Sequence, residues 1–137
     1  MAQNASAGSG SEPVILVVED DEGVRPVVAE MLESEGFRVI AAANPKEALD
    51  VLGDPDQAVD LLFTDIVLPE RLNGFGLAHR ARQMRPNLPI IYASGYFGGA
   101  PWEDLGLGYG PMLAKPFKQA ELAAEIWQAL GAAATAR

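Results

Sequence analysis

The sequence contains no cysteine among its 137 residues, and it is poor in basic side chains. Without cysteine, a disulfide framework and thiolate metal sites are excluded. Only 10 lysines and arginines stand against 19 acidic residues, so the formal net charge is −9 at pH 7. Nucleic acid and anionic membranes are therefore not expected as partners, because contacts with phosphate need clustered positive charge. The densest basic group, Arg80, Arg82 and Arg85, is predicted to form a solvated helix face.

Long apolar segments are absent as well. No apolar run approaches the roughly 18 residues that a membrane span needs, and the start of the chain has neither the basic nor the apolar region of a signal peptide. We therefore expect a cytoplasmic protein with one domain over residues 13–131. Residues 1–12, which are small and polar, are predicted to be a disordered tail, and residues 132–137 are predicted to be a frayed C-terminal tail.

Five short apolar runs recur along the chain. They cover residues 14–18, 37–41, 60–64, 89–93 and 111–114. Runs of this length that are rich in Val, Ile and Leu predict strands buried on both faces. Segments of helical periodicity lie between most of them, and one begins with a clear start signal at Asn44, Pro45 and Glu47. This alternation predicts an α/β fold, with a doubly wound five-stranded parallel sheet and helices on both faces.

Two segments between the strands differ in how strongly they predict a helix. An apolar stripe at helical spacing predicts a buried helix face; it consists of Val24, Val27, Val28, Met31 and Leu32. Residues 97–110, in contrast, contain five glycines and one proline. Any helix in that segment is expected to be short, because glycine and proline are poor helix formers.

Polar side chains follow four of the predicted strands, at the sheet edge where α/β proteins bind ligands. These residues are Glu19, Asp20, Asp65, Ser94 and Lys115. Asp65 is the most informative, because it lies between apolar stretches, where a carboxylate is costly unless it is paired or bound to metal. If the first and third strands are neighbours, three carboxylates converge, and a hard cation such as Mg²⁺ relieves their repulsion. The pattern predicts phosphoryl transfer to a carboxylate nucleophile.

Four motifs, taken in order, resemble the response-regulator receivers of two-component signalling. They are Val17-Val18-Glu19-Asp20-Asp21, Asp65 followed four residues later by Pro69, Ser94-Gly95, and Lys115-Pro116-Phe117. The resemblance covers residues 13 to about 130. It implies the flavodoxin-like strand order 2-1-3-4-5. It also implies that the phosphoryl donor is a histidine on a sensor kinase or on a histidine phosphotransfer protein.

The resemblance assigns a role to each acidic residue. Asp65 would be the phosphoacceptor. Asp20, Asp65 and the carbonyl of Val67 would bind Mg²⁺ directly, and Glu19 would act through water. The protein would be a signalling receiver rather than an enzyme, since it would catalyse only its own phosphorylation and dephosphorylation.

The resemblance also assigns roles to the other polar residues of the site. Ser94 would bond the phosphoryl group and shift when it arrives. Lys115 would pair with Asp65 or with a phosphate oxygen, and the Lys115–Pro116 peptide would be cis. Together with Asp65, these two residues would form the reactive centre.

Two features depart from the commonest receiver pattern. The loop after Asp65 is one residue longer, which leaves its geometry open. The position three residues before Lys115, where receivers usually carry a rotating Tyr or Phe, holds Met112. Residues 89–96 instead resemble a subgroup of stand-alone receivers, sometimes called FATGUY, which lacks that aromatic residue. Tyr96 then becomes the candidate switch residue.

Two other classes stay open at this point. A Mg²⁺-dependent phosphatase or mutase of the haloacid-dehalogenase type also uses a strand-end aspartate, but it expects a second aspartate where this chain has Val67. A pseudo-receiver binds partners without being phosphorylated, but it usually lacks the acceptor, an acidic residue or the lysine. Because few residues follow the last predicted helix, output is expected through contact with an unidentified protein, or as a phosphate relay or sink. Monomers and dimers are both compatible with the sequence.

Overall fold

The five predicted strands are present, each within one residue of its expected bounds. The computed structural model describes residues 12–66, 74–94 and 109–136. The strands are β1 (Val14–Val18), β2 (Arg38–Ala42), β3 (Leu61–Asp65), β4 (Ile90–Ser94) and β5 (Met112–Ala114). The helices in these ranges are α1 (Val24–Ser34), α2 (Pro45–Leu52), α3 (Gly74–Met84) and α4 (Gln119–Ala136). None of these helices is long and apolar enough to cross a membrane.

The strands form one parallel sheet in the order β2-β1-β3-β4-β5, which confirms the predicted topology. Val18 is paired with Thr64 across β1 and β3, and Asp65 is paired with Ala93 across β3 and β4. Every residue of β1, β3 and β4 is buried. Since all the strands run in one direction, the residues that follow them meet at a single edge of the sheet.

Two apolar cores cover the two faces of the sheet. Side chains alternate between the faces along each strand, as the pleat of a strand requires. Leu16 and Leu62 pack with α2 and α3 on one face, whereas Ile15 and Phe63 pack with α1 and α4 on the other. Because helices cover both faces of the sheet, the strand sequences are continuously apolar rather than alternating between apolar and polar residues.

Helix α2 begins as its sequence predicts. The Asn44 side chain accepts a hydrogen bond from the Glu47 amide at 2.9 Å, and the Glu47 carboxylate accepts one from the Ala43 amide at 2.7 Å. Pro45 occupies the first turn, where its missing N–H costs nothing, and the helix ends at Leu52 before Gly53. These contacts satisfy backbone donors that a helix start otherwise leaves without a partner.

The helices differ from the predictions at two places. Val24 and Val27 are exposed and Met31 is half-buried, so only Val28 and Leu32 of the predicted stripe are fully buried. The buried face of α1 is therefore narrower than predicted, because the helix packs through residues spaced four apart. Helix α4 continues to Ala136, beyond the domain end predicted at residue 131, because helix-forming alanines follow Gly131. Most of the predicted N-terminal tail and residues 97–108 lie outside the described residues.

The prediction of a solvated arginine face was wrong for two of its three residues. Arg82 donates from Nε to the Leu88 carbonyl at 2.6 Å. Arg85 donates from Nε to the Leu52 carbonyl at 3.2 Å. Both side chains are half-buried. Their partners are carbonyls at a helix end and in a loop, which lack a donor from regular secondary structure. Arg80 is exposed, as predicted.

Candidate functional site

Three carboxylates converge beyond the carboxyl ends of β1 and β3. Glu19 follows β1, and its amide continues the pairing with β2 through a 3.1 Å bond to the Ala42 carbonyl. Asp65 is the last residue of β3. One carboxylate oxygen from each of Glu19, Asp20 and Asp65 lies within 4.8 Å of the others. The adjacency of β1 and β3 therefore brings together the acidic residues that the sequence analysis selected.

The backbone around Asp65 is held from both sides. The Ile66 amide donates to the Ala93 carbonyl at 3.0 Å, and the Gly74 amide donates to the Ile66 carbonyl at 2.8 Å. A Cβ atom added at Gly74 would lie 2.3 Å from the Asp65 carbonyl oxygen. Glycine is thus required at the start of α3, because the helix approaches the Asp65 backbone too closely for a side chain.

Lys115 joins the acidic group from the end of β5. Its amide donates to the Ser94 carbonyl at 2.9 Å, and its peptide bond to Pro116 is cis. Its Nζ donates to Asp65 Oδ2 at 2.8 Å and to Glu19 Oε1 at 3.0 Å. The side chains of Glu19, Asp65 and Lys115 are 7%, 10% and 26% exposed. The ammonium group therefore lies between two nearly buried carboxylates.

The surroundings of Lys115 act on its pKa in opposite directions. Burial lowers the pKa, but the hydrogen bonds and charges of Asp65 and Glu19 outweigh it, and the net pKa lies above its usual value. Lys115 is therefore a cation at neutral pH. One ammonium against three carboxylates leaves an excess of negative charge. The oxygen ligands and this charge fit a hard divalent cation such as Mg²⁺.

The turn after β1 is built from contacts among its own residues. The Asp21 amide donates to Glu19 Oε2 at 3.1 Å, and Asp21 Oδ1 accepts from the amides of Gly23 and Val24 at 2.8 and 3.1 Å. Asp21 thereby provides acceptors for the first amides of α1. Asp20 lies between Glu19 and Asp21 in the sequence, and its side chain is exposed at the edge of the acidic group.

The residues predicted to sense the phosphoryl group lie partly within the described region. Ser94 is buried at the end of β4, beside Ala114 of β5. Met112 is paired with Tyr92 and packs against the core that includes α2 and α3. Val67 and Tyr96 lie outside the described residues, and their roles stay predictions.

Two further polar contacts were not predicted from the sequence: that of Arg25 at this edge, and that of Tyr92 in the core that includes α2 and α3. Arg25 donates from Nη1 to the Glu19 carbonyl at 2.9 Å. Tyr92 is buried, and its hydroxyl accepts a hydrogen bond from the Tyr109 amide at 3.0 Å. The sequence feature that could have indicated a role for Arg25 is its place in the first turn of a helix, where the helix dipole disfavours a positive charge.

This geometry agrees with comparisons to known proteins. The sequence model of the Response regulator receiver domain matches residues 15–127. The chain belongs to the response-regulator receiver family. Receivers of this family act in two-component signalling, and the assignment favours this class over the haloacid-dehalogenase type.

Curated relatives include both short and long receiver proteins. The response regulator receiver protein CpdR of Brucella abortus is 36% identical over 121 residues, which cover 87% of this chain and 98% of CpdR. The sensor kinase CckA of the same organism is 33% identical over 132 residues, which cover 93% of this chain but 13% of the kinase. The chain spans 47% of the Escherichia coli regulator CpxR, with 38% identity. It therefore corresponds to only part of the longer relatives.

Solved receiver structures share the fold over almost the whole chain. A receiver protein from Sinorhizobium medicae is 31% identical with a TM-score of 0.81, covering 91% of this chain and 99% of that structure. A CheY-like receiver domain protein from Methanospirillum hungatei is 27% identical with a TM-score of 0.82, covering 93% and 100%. The five-stranded receiver architecture is thus confirmed.

Proposed function

We propose that this protein is a cytoplasmic response regulator that accepts a phosphoryl group on Asp65 from a phosphohistidine, in a Mg²⁺-dependent reaction. The donor is a sensor kinase or a histidine phosphotransfer protein. The observation that carries the proposal is the convergence of Glu19, Asp20 and Asp65 within 4.8 Å, with Lys115 bonded to two of them. The likeness to the receiver domain of the hybrid histidine kinase CckA, at 32% identity and a TM-score of 0.71, supports a kinase as donor.

In this reaction, a carboxylate oxygen of Asp65 attacks phosphorus, a P–O bond forms, and the P–N bond to histidine breaks. Asp20, Asp65 and the carbonyl of Val67 would hold Mg²⁺ directly, and Glu19 would act on it through water. The ion would neutralise the charge of the phosphoryl oxygens. Lys115 orients the Asp65 carboxylate through its 2.8 Å bond. Its positive charge also lies beside Asp65, where it would attract the oxygens of the transferred phosphoryl group.

The response to phosphorylation is proposed to begin at Ser94. Its hydroxyl bonds the phosphoryl group and shifts toward it, and Tyr96 transmits this movement. Met112 occupies the position of the usual aromatic switch, but it has no ring or polar tip and therefore fills space only. The output is contact with another protein, or phosphate relay to one. A stand-alone role is supported by CpdR, which the chain matches over 98% of its length.

Intact-mass spectrometry with a small phosphodonor tests this proposal. Incubation with acetyl phosphate is expected to add about 80 Da, one phosphoryl group, in the presence of Mg²⁺ and not in the presence of a chelator. Asp65→Asn should abolish the addition, and Asp20→Asn should raise the Mg²⁺ concentration it requires. Asp56→Asn, at an exposed loop position, is the matched control and should be labelled normally.

Two results would count against the proposal. Labelling of Asp65→Asn at the wild-type level would disprove the acceptor assignment. Failure of the wild-type protein to be labelled by acetyl phosphate or by any sensor kinase of its genome would favour a pseudo-receiver, which signals without phosphorylation.

A further inference from the structure

Arg25 contacts the backbone of the acidic turn rather than the carboxylates proposed to bind metal. Its Nη1 donates to the Glu19 carbonyl at 2.9 Å, and its Nη2 lies 2.5 Å from Glu22 Oε1. Its own amide donates to the Asp21 carbonyl at 2.9 Å. The Arg25 side chain is only 18% exposed. The guanidinium group therefore lies folded back along the turn, bonded to acceptors at both of its ends.

The position of Arg25 is unfavourable for helix α1 taken alone. It lies in the first turn, where the helix dipole disfavours a positive charge. The guanidinium compensates through its planar, forked donor groups, which bond two acceptors at once. Its bond to the Glu19 carbonyl has a geometric consequence, because that carbonyl belongs to the peptide that joins Glu19 to Asp20. Arg25 therefore fixes the orientation of this peptide plane.

Asp20 depends on its backbone for its direction. Its side chain is exposed, so little packing constrains it. The residues on either side are held: the Glu19 amide bonds to Ala42, and the Asp21 amide bonds to the Glu19 carboxylate. The Glu19–Asp20 peptide is the remaining link, and Arg25 holds its oxygen. Rotation of this peptide would turn the Asp20 carboxylate away from Asp65.

We propose that Arg25 is a positioning residue for the divalent cation of the receiver site. By holding the Glu19–Asp20 peptide, it directs the Asp20 carboxylate toward the metal. The inference rests on the proposed function, because Mg²⁺ is the cation concerned. A second effect of Arg25 has the opposite sign, since a nearby positive charge repels a cation. The change in Mg²⁺ affinity on removing Arg25 therefore distinguishes the two effects.

Calorimetric titration of the unphosphorylated protein with Mg²⁺ measures that change directly. We expect Arg25→Gln to raise the Mg²⁺ dissociation constant about tenfold, which is the smallest loss of metal affinity typical when a group that orients a metal ligand is removed. Arg25→Lys keeps the charge but is a single-point donor, so it should also weaken binding. Arg38→Gln is the matched control, because this exposed arginine starts β2 at the opposite edge of the sheet. It should bind Mg²⁺ like the wild type.

Phosphorylation kinetics with acetyl phosphate provide the second measurement. A positioning role predicts that Arg25→Gln shifts the Mg²⁺ concentration for half-maximal rate and leaves the rate at saturating Mg²⁺ unchanged. Mg²⁺ affinity that is equal to or tighter than that of the wild type in both Arg25 variants would overturn the inference. If Arg25→Gln does not fold, as judged by circular dichroism, Arg25→Lys decides alone. If the wild type does not bind Mg²⁺, both the inference and the proposed metal site are overturned. If the wild type binds Mg²⁺ but is not labelled by acetyl phosphate, only the proposed phosphorylation is overturned.

Discussion

Replacement of Lys115 by methionine is expected to destabilise the protein in a way that Mg²⁺ reverses. Methionine keeps an unbranched chain of similar length but carries no charge. In the native protein, the ammonium group bonds to Asp65 at 2.8 Å and to Glu19 at 3.0 Å. Lys115→Met would leave these two nearly buried carboxylates facing each other without a counter-charge. A divalent cation could then replace the lost charge.

The size of the effect follows from burial. Removing one partner of a buried ion pair costs about 3–5 kcal/mol. Lys115 is 26% exposed, so solvent screens the interaction, and we expect about 2 kcal/mol of lost unfolding free energy. For a domain of this size, that loss lowers Tm by about 8 °C. Mg²⁺ bound at the proposed site would stabilise the native state and not the unfolded chain, so adding it should recover most of this loss.

Thermal and urea unfolding, each with excess chelator and with excess Mg²⁺, measure both quantities. The increase in stability on adding Mg²⁺ should be larger for Lys115→Met than for the wild type. Lys46→Met is the control, because Lys46 pairs with Asp50 at an exposed position and should change little. A Lys115→Met protein that is as stable as the wild type in chelator would refute the reasoning. An unchanged response to Mg²⁺ would also refute it.

Two further predictions concern the backbone at Asp65 and the buried Tyr92. Gly74→Ala should lower the unfolding free energy by more than about 2 kcal/mol, because the new Cβ would lie 2.3 Å from the Asp65 carbonyl oxygen. At Gly131, an added Cβ would have no atom within 4 Å, so Gly131→Ala should instead raise the unfolding free energy by up to about 1 kcal/mol. Equal changes in the stability of the two variants, measured by thermal unfolding, would contradict this. Burial raises the pKa of Tyr92 above its usual value of 10.0, so the unfolded chain loses the phenolic proton first and stability falls as the pH rises above that value. Near neutral pH, Tyr92→Phe should have an unfolding free energy about 1 kcal/mol below that of the wild type, because it lacks the bond from the Tyr109 amide. As the pH becomes alkaline, its unfolding free energy should fall less than that of the wild type. If urea unfolding shows that the two proteins decline in parallel, the assignment is contradicted.

The sheet and the acidic group could be predicted because both depend on short-range sequence patterns and one rule of topology. Five apolar runs located the strands within one residue. The parallel arrangement then placed the residues after each strand at one edge. Asp65 was identifiable because an acid directly between apolar stretches is unfavourable without a partner. Lys115 supplies such a partner from a residue 50 positions away.

The contacts that were missed join side chains to backbone groups that no sequence pattern marks. Arg82 bonds to the carbonyl of Tyr109, 27 residues away, and Arg85 bonds to that of Leu52, 33 residues away. Charge alone predicted that both would be solvated. Arg25 likewise bonds to a peptide oxygen, which every residue has. Val27 was placed in the core because its spacing fits a helix face, but how wide a face is buried depends on the neighbouring elements.

Chemical mapping of the phosphorylated residue tests the central claim most directly. An aspartyl phosphate is an acyl phosphate, which borohydride reduces to an alcohol, whereas phosphate esters of serine are not reduced. After treatment with acetyl phosphate and Mg²⁺, reduction and peptide mass spectrometry should find one converted residue, Asp65, and no conversion in chelator. Conversion at Glu19 or Asp20, conversion that is independent of Mg²⁺, or phosphate retained on Ser94 would contradict the account.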